Sequence, residues 1–398
     1  MKSFISLAII LCSIAHGLFA QFSIGNTQIT YIDASRNNRS IPAQIYYPAN
    51  TSGQNAAPAS GSFPLVVVGH GFAMGVDAYL HFKDVLVPQG YIVALCNTET
   101  SLSPSHQDFG YDLLFLTNSM NSSSLNEPSF ILYQHLNGKA AVVGHSMGGG
   151  AGVLASSFAS PGEITCYVGL APAETNLSAI AAAANVTIPS LIFSGQGDNV
   201  TPPANHQIPI YNNLNQSCAS LVTVLGGGHC YFALANAACD FGETFSNSNI
   251  SISRAEQQDV MFDLMIPFFE YELKSSTAGL TAFKDSLLTS PRISVQQKNC
   301  ESLNISEEKE SVFHIQVKNN LQVNQFLNIS TSATKPSNIF FEIYDMKGVR
   351  YYSSQHFISS FTTDLSIPVS SLASGMYMLH YTSATGNIDT IKFQVTGN

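Results

Sequence analysis

Tryptophan is absent from all 398 residues, charged side chains make up only 11%, and no two cysteines stand at C-x-x-C spacing. Without such pairs the chain lacks the usual frame of a structural zinc site. Its few charges lean acidic, 16 basic against 26, for a net charge of -10 and a pI near 5.5. That field repels nucleic acid and anionic membranes, which makes both poor partners, and no nucleic acid is expected. Past the N-terminus no apolar run approaches the roughly 20 residues of a membrane span. Asn, Ser and Thr supply the polar surface instead.

A chain this long has room for two or three domains, the first able to bury on the order of 70 to 75% of its unfolded surface. Met1 to Ala20 reads as a secretory signal peptide, with Lys2, the apolar ISLAIILCSIA, and Phe19-Ala20 before Gln21. Its removal takes Cys12 and leaves Cys96, Cys166, Cys218, Cys230, Cys239 and Cys300, an even number that permits disulfides in an exported chain. Cys230 and Cys239 flank a short Ala-rich loop, and joining them is worth roughly 2.5 to 3 kcal/mol through the unfolded state. Cys96 and Cys166 sit in apolar strand-like runs and read as buried thiols. Cys218 with Cys300 is allowed, but nothing in the sequence singles it out.

From Gln21 to about Lys274, short apolar strands such as FPLVVVGHG, YIVALCNT, KAAVVGHS and SLIFSGQG alternate with helical segments. Expected helices run over Asp77 to Gln89, Tyr111 to Met120, Ser146 to Ala159 and Arg254 to Lys274, the last kinked at Pro267. Near-continuous apolar strands predict a mostly parallel sheet covered on both faces. Beyond Ser275 a polar stretch with the run Glu307-Glu308-Lys309-Glu310 leads to alternating segments, IFFEIYD, FTTDLSI, GMYMLHY and TIKFQV, separated by turns such as Ala384 to Asn387. The expected organisation is a signal peptide at 1–20, an α/β catalytic domain at 21–290, a linker at 291–312 and a small all-β sandwich at 313–398.

The stretch AVVGHSMGGGAG carries Gly144-His145-Ser146-Met147-Gly148 at the end of a strand-like run. Gly-x-Ser-x-Gly lets a strand turn sharply into a helix and leaves the serine alone at the apex. One such match arises by chance roughly one time in ten at ordinary Gly and Ser usage, so its weight depends on partners. These stand at other strand ends: Gly69-His70-Gly71-Phe72, Gly195-Gln196-Gly197-Asp198 and Gly226-Gly227-Gly228-His229. The order Ser, Asp, His is that of the α/β-hydrolase arrangement. An imidazole must take the serine proton and a buried carboxylate must fix the ring, which points to Ser146, His229 and Asp198. Glu174 also follows a strand and stays open as the acid. The backbones of Met147 and Phe72 are the candidate oxyanion donors, each worth about 3 to 4 kcal/mol in the transition state. Gly148 to Gly150 read as close helix packing, since no Lys follows as a phosphate loop needs. His70 reads as a loop-shaping residue, while Tyr231 and Phe232 fit core and pocket equally.

Residues 21 to about 274 resemble an α/β-hydrolase of the dienelactone-hydrolase and polyester-hydrolase branch, close to cutinase-like enzymes that cleave poly(ethylene terephthalate). The resemblance is carried by VVVGHGF, VVGHSMGGGAG, GLAPAETNLSAIAAAANVTIPSLIFSGQGDNVTP with HQIPIYNNL, and GGGHC. It implies Ser146, Asp198 and His229 as the triad and Phe72 and Met147 as the oxyanion pair, with Phe72 also stacking on substrate. His145 and Val200 fall where that family lines its ester-binding groove. The chain departs from the bacterial polyester hydrolases in lacking the tryptophan beside the nucleophile and the one in the groove, and in having Gly195 to Gly197 where they carry a cysteine. The opening DASRNNRSIPAQIYYPA is also similar to chlorophyllase-like and platelet-activating-factor acetylhydrolase-like esterases, which keeps small and lipid esters as substrates. IFFEIYDMKGVR, LASGMYMLHY and DTIKFQV resemble the type A sorting domain of the Bacteroidetes type IX secretion system, with Lys392 kept and Gly397-Asn398 at the end. The reading is therefore a secreted, monomeric serine esterase with no cofactor and no metal, whose partners are an ester or polyester and the secretion machinery. The competing class is a non-catalytic surface-binding protein.

Overall fold

A computed structural model describes residues 22–300, 313–318, 322–333, 337–358, 363–383 and 388–396. The signal peptide expected at Met1 to Ala20, the charged run Glu307 to Glu310, the turn at Ala384 to Asn387 and the closing Gly397-Asn398 lie outside the described residues. The chain divides into two compact units, Met1–Glu301 and Ser302–Asn398.

The first unit is built on strands β1 (Ser23–Asp33), β2 (Arg39–Ala49), β3 (Gly53–Gln54), β4 (Phe63–Gly69), β5 (Ile92–Cys96), β6 (Leu136–His145), β7 (Cys166–Leu170), β8 (Ser190–Gly195), β9 (Ala219–Val224) and β10 (Ile293–Lys298). They form one sheet in the order β10-β9-β8-β7-β6-β4-β5-β2-β1-β3. From β5 to β9 every neighbouring pair is parallel, while β2 and β10 pair antiparallel at either side. Every residue of β4, β5, β7 and β8 is buried, because helices cover both faces of such a sheet.

Helices α1 (His81–Leu86), α2 (His106–Asn126), α3 (Met147–Phe158), α4 (Ala179–Ala182), α5 (Gln207–Asn213), α6 (Ala237–Phe245), α7 (Arg254–Lys274) and α8 (Thr277–Thr289) complete the unit. α2 starts earlier and ends later than its apolar pattern suggests, because Ser105 caps it through the Asp108 N–H and its last turns carry polar NSSSLN. α7 has the expected ends, begins with a capping box of Ser253 and Glu256, and runs through Pro267 without interruption.

One sequence expectation changes here. The linker expected at 291–312 starts too early, since Ile293–Lys298 pairs with β9 and closes one side of the sheet. An edge strand meets a single neighbour, so ISVQQK needs little apolar patterning and reads as polar. The cysteines follow their expected pattern, with Cys230 bonded to Cys239 and Cys96 and Cys166 buried and free, and the pair left open, Cys218 with Cys300, is also bonded just beyond that strand.

The hairpin of β1 and β2 turns through Asn37 and Asn38, both left-handed at φ 61° and 53°, a conformation Asn tolerates. Its two arginines reach α2. Arg36 Nη2 meets Asp112 Oδ1 at 2.7 Å, and Arg39 grips both Asp112 oxygens, Nε to Oδ1 at 2.8 Å and Nη2 to Oδ2 at 2.7 Å.

The second unit holds β11 (Phe313–Val317), β12 (Gln322–Val323), β13 (Phe326–Ala333), β14 (Ser337–Asp345), β15 (Arg350–Ile358), β16 (Thr363–Pro368), β17 (Gly375–Ser383) and β18 (Ile388–Val395). They make a three-stranded sheet, β11-β13-β16, and a five-stranded one, β12-β18-β17-β14-β15. Leu327, Ile329 and Ile367 of the smaller sheet share one hydrophobic cluster with Phe341, Ile343, Leu379 and Phe393 of the larger. No helix among the described residues is long and apolar enough to cross a membrane.

Candidate active site

Strand β4 lies between β6 and β5, so the chain leaves it in one direction and returns on its other side. Such a reversal opens a crevice beyond the carboxyl ends of the strands. Phe72 follows β4 and Ser146 follows β6, which brings both to that crevice.

Ser146 stands between β6 and α3 at φ 54° and ψ -118°, a backbone state that costs a non-glycine residue on the order of 1 to 3 kcal/mol. Gly144 and Gly148 permit the turn, since a Cβ on Gly144 would collide with the Gly148 carbonyl and one on Gly148 with that of Gly69. The Ser146 N–H donates to Leu170 O and its carbonyl accepts from Ala173 N, both at 2.9 Å, which pins the strained residue to the end of β7. Gly149 and Gly150 lie equally close to Pro172 and Ala173, so this glycine run serves helix packing. Met147 opens α3, where the helix dipole presents its positive end. Among the described residues neither the Met147 nor the Phe72 N–H has a hydrogen-bond acceptor. Phe72 itself is 49% exposed.

Asp198 and His229 are both buried, and His229 Nδ1 lies 2.9 Å from Asp198 Oδ2. The other carboxylate oxygen accepts from the Val200 and Thr201 N–H groups at 2.9 and 2.8 Å. Thr201 Oγ1 adds a donor to Oδ2 at 2.9 Å and sits 2.8 Å from His229 Nδ1. Glu174, the alternative acid, is engaged elsewhere: its Oε2 accepts from Ile180 N at 2.9 Å and its N–H donates to His206 Nδ1.

The loop bearing His229 is clamped from α6 and α7. Gln257 donates to Gly228 O and accepts from Gly228 N, each at 2.9 Å. Glu243 Oε1 accepts from Cys230 N at 2.7 Å, and Arg254 Nη1 donates to Cys230 O at 2.6 Å and to Ala233 O at 2.8 Å. The Cys230–Cys239 bond closes this clamp covalently. Gly228 must be glycine, because a Cβ there would press into Glu243 and Ile250.

His145 does not line a groove, contrary to the expectation for its position. Its side chain is fully buried, with Nδ1 2.7 Å from Tyr79 Oη and Nε2 3.0 Å from the His229 carbonyl. The ring turns inward because both polar partners lie there. Burial, with the neighbouring His229 second, holds its pKa well below the ordinary histidine value. A neutral ring whose Nε2 faces a carbonyl carries its proton on Nε2 and accepts the Tyr79 hydroxyl at Nδ1. Tyr79 in turn accepts the Gly71 N–H at 2.8 Å. Among the described residues no hydrogen bond joins Ser146 Oγ to His229, while His145, next to Ser146, bonds to the His229 carbonyl.

The remaining candidates divide. Val200 is half-buried beside α6, where it faces Gly242. Phe232 belongs to the core, while Tyr231 lies under the Arg254 guanidinium, 4.5 Å from ring centroid to carbon. His70 is buried and shapes its loop through the Thr98 carbonyl at 2.6 Å. The ligand atoms of His145, His229 and Cys239 lie within 4.8 Å of one another. They do not suit a metal, since the Cys239 sulfur is spent in a disulfide and both His145 nitrogens are bonded. Thr201 and Gln207 lie within the stretches that carry the resemblance but had no role read from them, and Tyr79, Glu243, Gln257 and Arg254 had no local motif to mark them.

Residues 323–395 match the secretion system C-terminal sorting domain, which marks the chain for export to the cell surface or beyond through the type IX secretion system. The bis(hydroxyethyl) terephthalate hydrolase of Streptomyces coelicolor is 28% identical over 207 residues, 52% of this chain and 57% of that protein. Cutinase 1 of Thermobifida cellulosilytica and the cutinase of Thermobifida fusca are each 26% identical over 206 residues, covering 70% and 61% of their lengths. The chain thus spans little more than half of the first of these relatives. Residues 20–252, more than half of the chain and the whole span from β1 to His229, match the PET hydrolase-like family, and to that family the protein belongs.

Proposed function

We propose that the protein is an exported serine carboxylic-ester hydrolase that works through an acyl-enzyme and accepts aromatic polyesters such as poly(ethylene terephthalate). The observation that carries the proposal is the buried contact of His229 Nδ1 with Asp198 Oδ2 at 2.9 Å, beyond the same sheet edge as the strained Ser146. Asp198 holds the proton of His229 on Nδ1, so Nε2 accepts the Ser146 hydroxyl proton as Oγ attacks the ester carbonyl. The oxyanion takes hydrogen bonds from the Phe72 and Met147 N–H groups, which have no acceptor among the described residues. Collapse breaks the bond to the alcohol, which leaves with the proton from His229. Water then attacks the acyl-enzyme, giving its proton to Nε2, and the acid departs as Ser146 regains its hydrogen.

The aromatic-ester reading draws on exposed phenylalanines. Phe72 is 49% exposed, and Phe241 and Phe245 of α6 are 69% and 78% exposed with their rings stacked, centroids 6.0 Å apart. α6 is bonded to Cys230, next to His229, and its Gly242 faces Val200. This aromatic surface stands in for the tryptophans the chain lacks. The Streptomyces relative, a bis(hydroxyethyl) terephthalate hydrolase by name, supports the same substrate class. A second reading, a lipase or acetylhydrolase on small or lipid esters, is favoured by the inward turn of His145, which removes one ring from the expected groove.

The remaining assignments belong to the same proposal. Residues 1–20 act as a signal peptide, and the second unit is a β-sandwich that engages the type IX machinery. The catalytic domain extends through β10 to the Cys218–Cys300 bond, and the mature enzyme is a monomer. The test is product release from amorphous poly(ethylene terephthalate) film beside p-nitrophenyl butyrate hydrolysis, with wild type and Ser146→Ala. Serine-dependent terephthalate release is expected. Activity on the soluble ester alone would reject the polyester claim, and full activity in Ser146→Ala would reject the enzyme mechanism.

A further inference from the structure

We propose that Thr201 and Gln207 are positioning residues that lock His229 in the one tautomer able to act as a base, extending a three-residue relay to five. The inference rests on the reading of Ser146, Asp198 and His229 given above.

Three polar atoms form a closed triangle. Thr201 Oγ1 lies 2.9 Å from Asp198 Oδ2 and 2.8 Å from His229 Nδ1, and Nδ1 lies 2.9 Å from the same Oδ2. Taken alone, the triangle admits two proton arrangements, with the threonine hydrogen directed at either the carboxylate or the ring.

Gln207 and the carboxylate remove that ambiguity. Gln207 is fully buried and its Nε2 stands 2.9 Å from the Pro172 carbonyl, which only accepts, so the amide must present its NH2 group there. The second N–H of that group reaches Thr201 Oγ1 at 3.1 Å. The threonine oxygen therefore receives a proton from Gln207 and has its own to give. Were it given to Nδ1, a bare ring nitrogen would face a bare carboxylate oxygen at 2.9 Å in a buried site, an unpaired contact of the costly kind. Given to Oδ2, it leaves Nδ1–H to donate to the same oxygen, so both contacts of the carboxylate hold a hydrogen and Thr201 Oγ1 faces an N–H at 2.8 Å.

The consequence is that Asp198 is saturated. Oδ1 accepts two backbone N–H groups and Oδ2 accepts Thr201 and His229, which fills the roughly four acceptor sites of a carboxylate. Such a group has no reason to rotate. With Nδ1 protonated, the neutral ring has its lone pair on Nε2, the atom the serine proton needs. A wrong tautomer at this position is among the more damaging faults in this kind of site.

The test uses the full chain with p-nitrophenyl butyrate as probe and compares Thr201→Val, Thr201→Ser and Gln207→Leu. Thr201→Val keeps the shape and deletes the hydroxyl, and kcat is expected to fall about tenfold with KM within about twofold. Thr201→Ser, which keeps the hydroxyl, is expected to restore kcat to within about twofold of wild type. Nitrogen-15 NMR of the imidazole is expected to show protonated Nδ1 and bare Nε2 for His229 in wild type and Thr201→Ser, and a tautomer mixture in Gln207→Leu, where the Thr201 hydrogen is free to turn from Asp198 to Nδ1. If Thr201→Val fails to fold, Gln207→Leu carries the kinetic comparison as well. Wild-type kcat and unchanged His229 signals in the folded variants would overturn the inference, as would a loss that serine fails to restore. Ser146→Ala and Asp198→Ala run alongside: if these keep activity, the underlying triad reading is what fails.

Discussion

His145 donates from Nε2 to the carbonyl oxygen of His229 at 3.0 Å, and the two rings lie 4.9 Å apart. The residue before Ser146 thus holds the backbone of the proposed base. Through Tyr79 it also reaches Gly71, beside the Phe72 N–H. One neutral side chain therefore links the segments that carry Ser146, His229 and Phe72, the proposed nucleophile, base and oxyanion donor.

Replacing that ring by alanine deletes a hydrogen bond at each end and leaves a cavity in a fully buried place. His145→Ala is expected to destabilise the protein by about 2 to 4 kcal/mol. It is also expected to lower kcat more than it raises KM, because the loss falls on alignment. Urea midpoints and p-nitrophenyl butyrate kinetics on one preparation measure both, and a stable variant with unaltered kcat would reject the coordinating role.

Asp112 on α2 supports the opposite side of the sheet. It is fully buried and holds Arg36 and Arg39, while Arg39 also pairs with Glu99 at 2.5 Å. Removing one member of such a cluster strands the others, so Asp112→Ala is expected to cost about 3 kcal/mol. Thermal unfolding reads the loss. Both arginines keep about a quarter of their side-chain surface in water, which places the expectation at the lower end of buried pairs.

The catalytic candidates were legible because each sits in a short glycine-rich turn at a strand end, a signal confined to four or five neighbouring residues. Parallel strands were legible for a similar reason: β4 and β8 are buried along their whole length and carry unbroken apolar runs. What escaped depends on distant contacts. Thr201 meets His229 across 28 positions and Tyr79 meets His145 across 66, and nothing near either residue records its partner. His145 was misjudged because its position in related sequences suggests a groove, whereas its ring follows two inward hydrogen-bond partners. β10 was missed because an edge strand with a single neighbour needs few apolar residues.

The α6 phenylalanines offer a test of substrate class that leaves the acyl chemistry alone. Phe241→Ser with Phe245→Ser removes a stacked, exposed pair that supports little of the core. Stability is expected to change by less than about 0.5 kcal/mol, as for most surface substitutions. Product release from film is expected to fall several-fold, with hydrolysis of p-nitrophenyl butyrate retained. Equal loss on both substrates would mean that the pair maintains the His229 loop, and no loss on either would remove it from polymer binding.

Glu272 on α7 gives a prediction with a defined sign in pH. Burial pushes its carboxyl up to about 7 from an ordinary 4.5, and only the charge of Lys139 opposes that rise. Between these two values the folded protein holds a proton that the unfolded chain has released. Stability therefore falls as pH rises through that window, because the unfolded state binds fewer protons. Below pH 4.5 both states are protonated and the burden vanishes. Glu272→Gln, neutral at every pH, is expected to match wild type near pH 4 and to exceed it at pH 8. Urea unfolding midpoints at the two pH values measure the difference. A gain of equal size at both would trace to packing rather than charge, and no gain at pH 8 would mean that the carboxylate is well solvated in the folded protein.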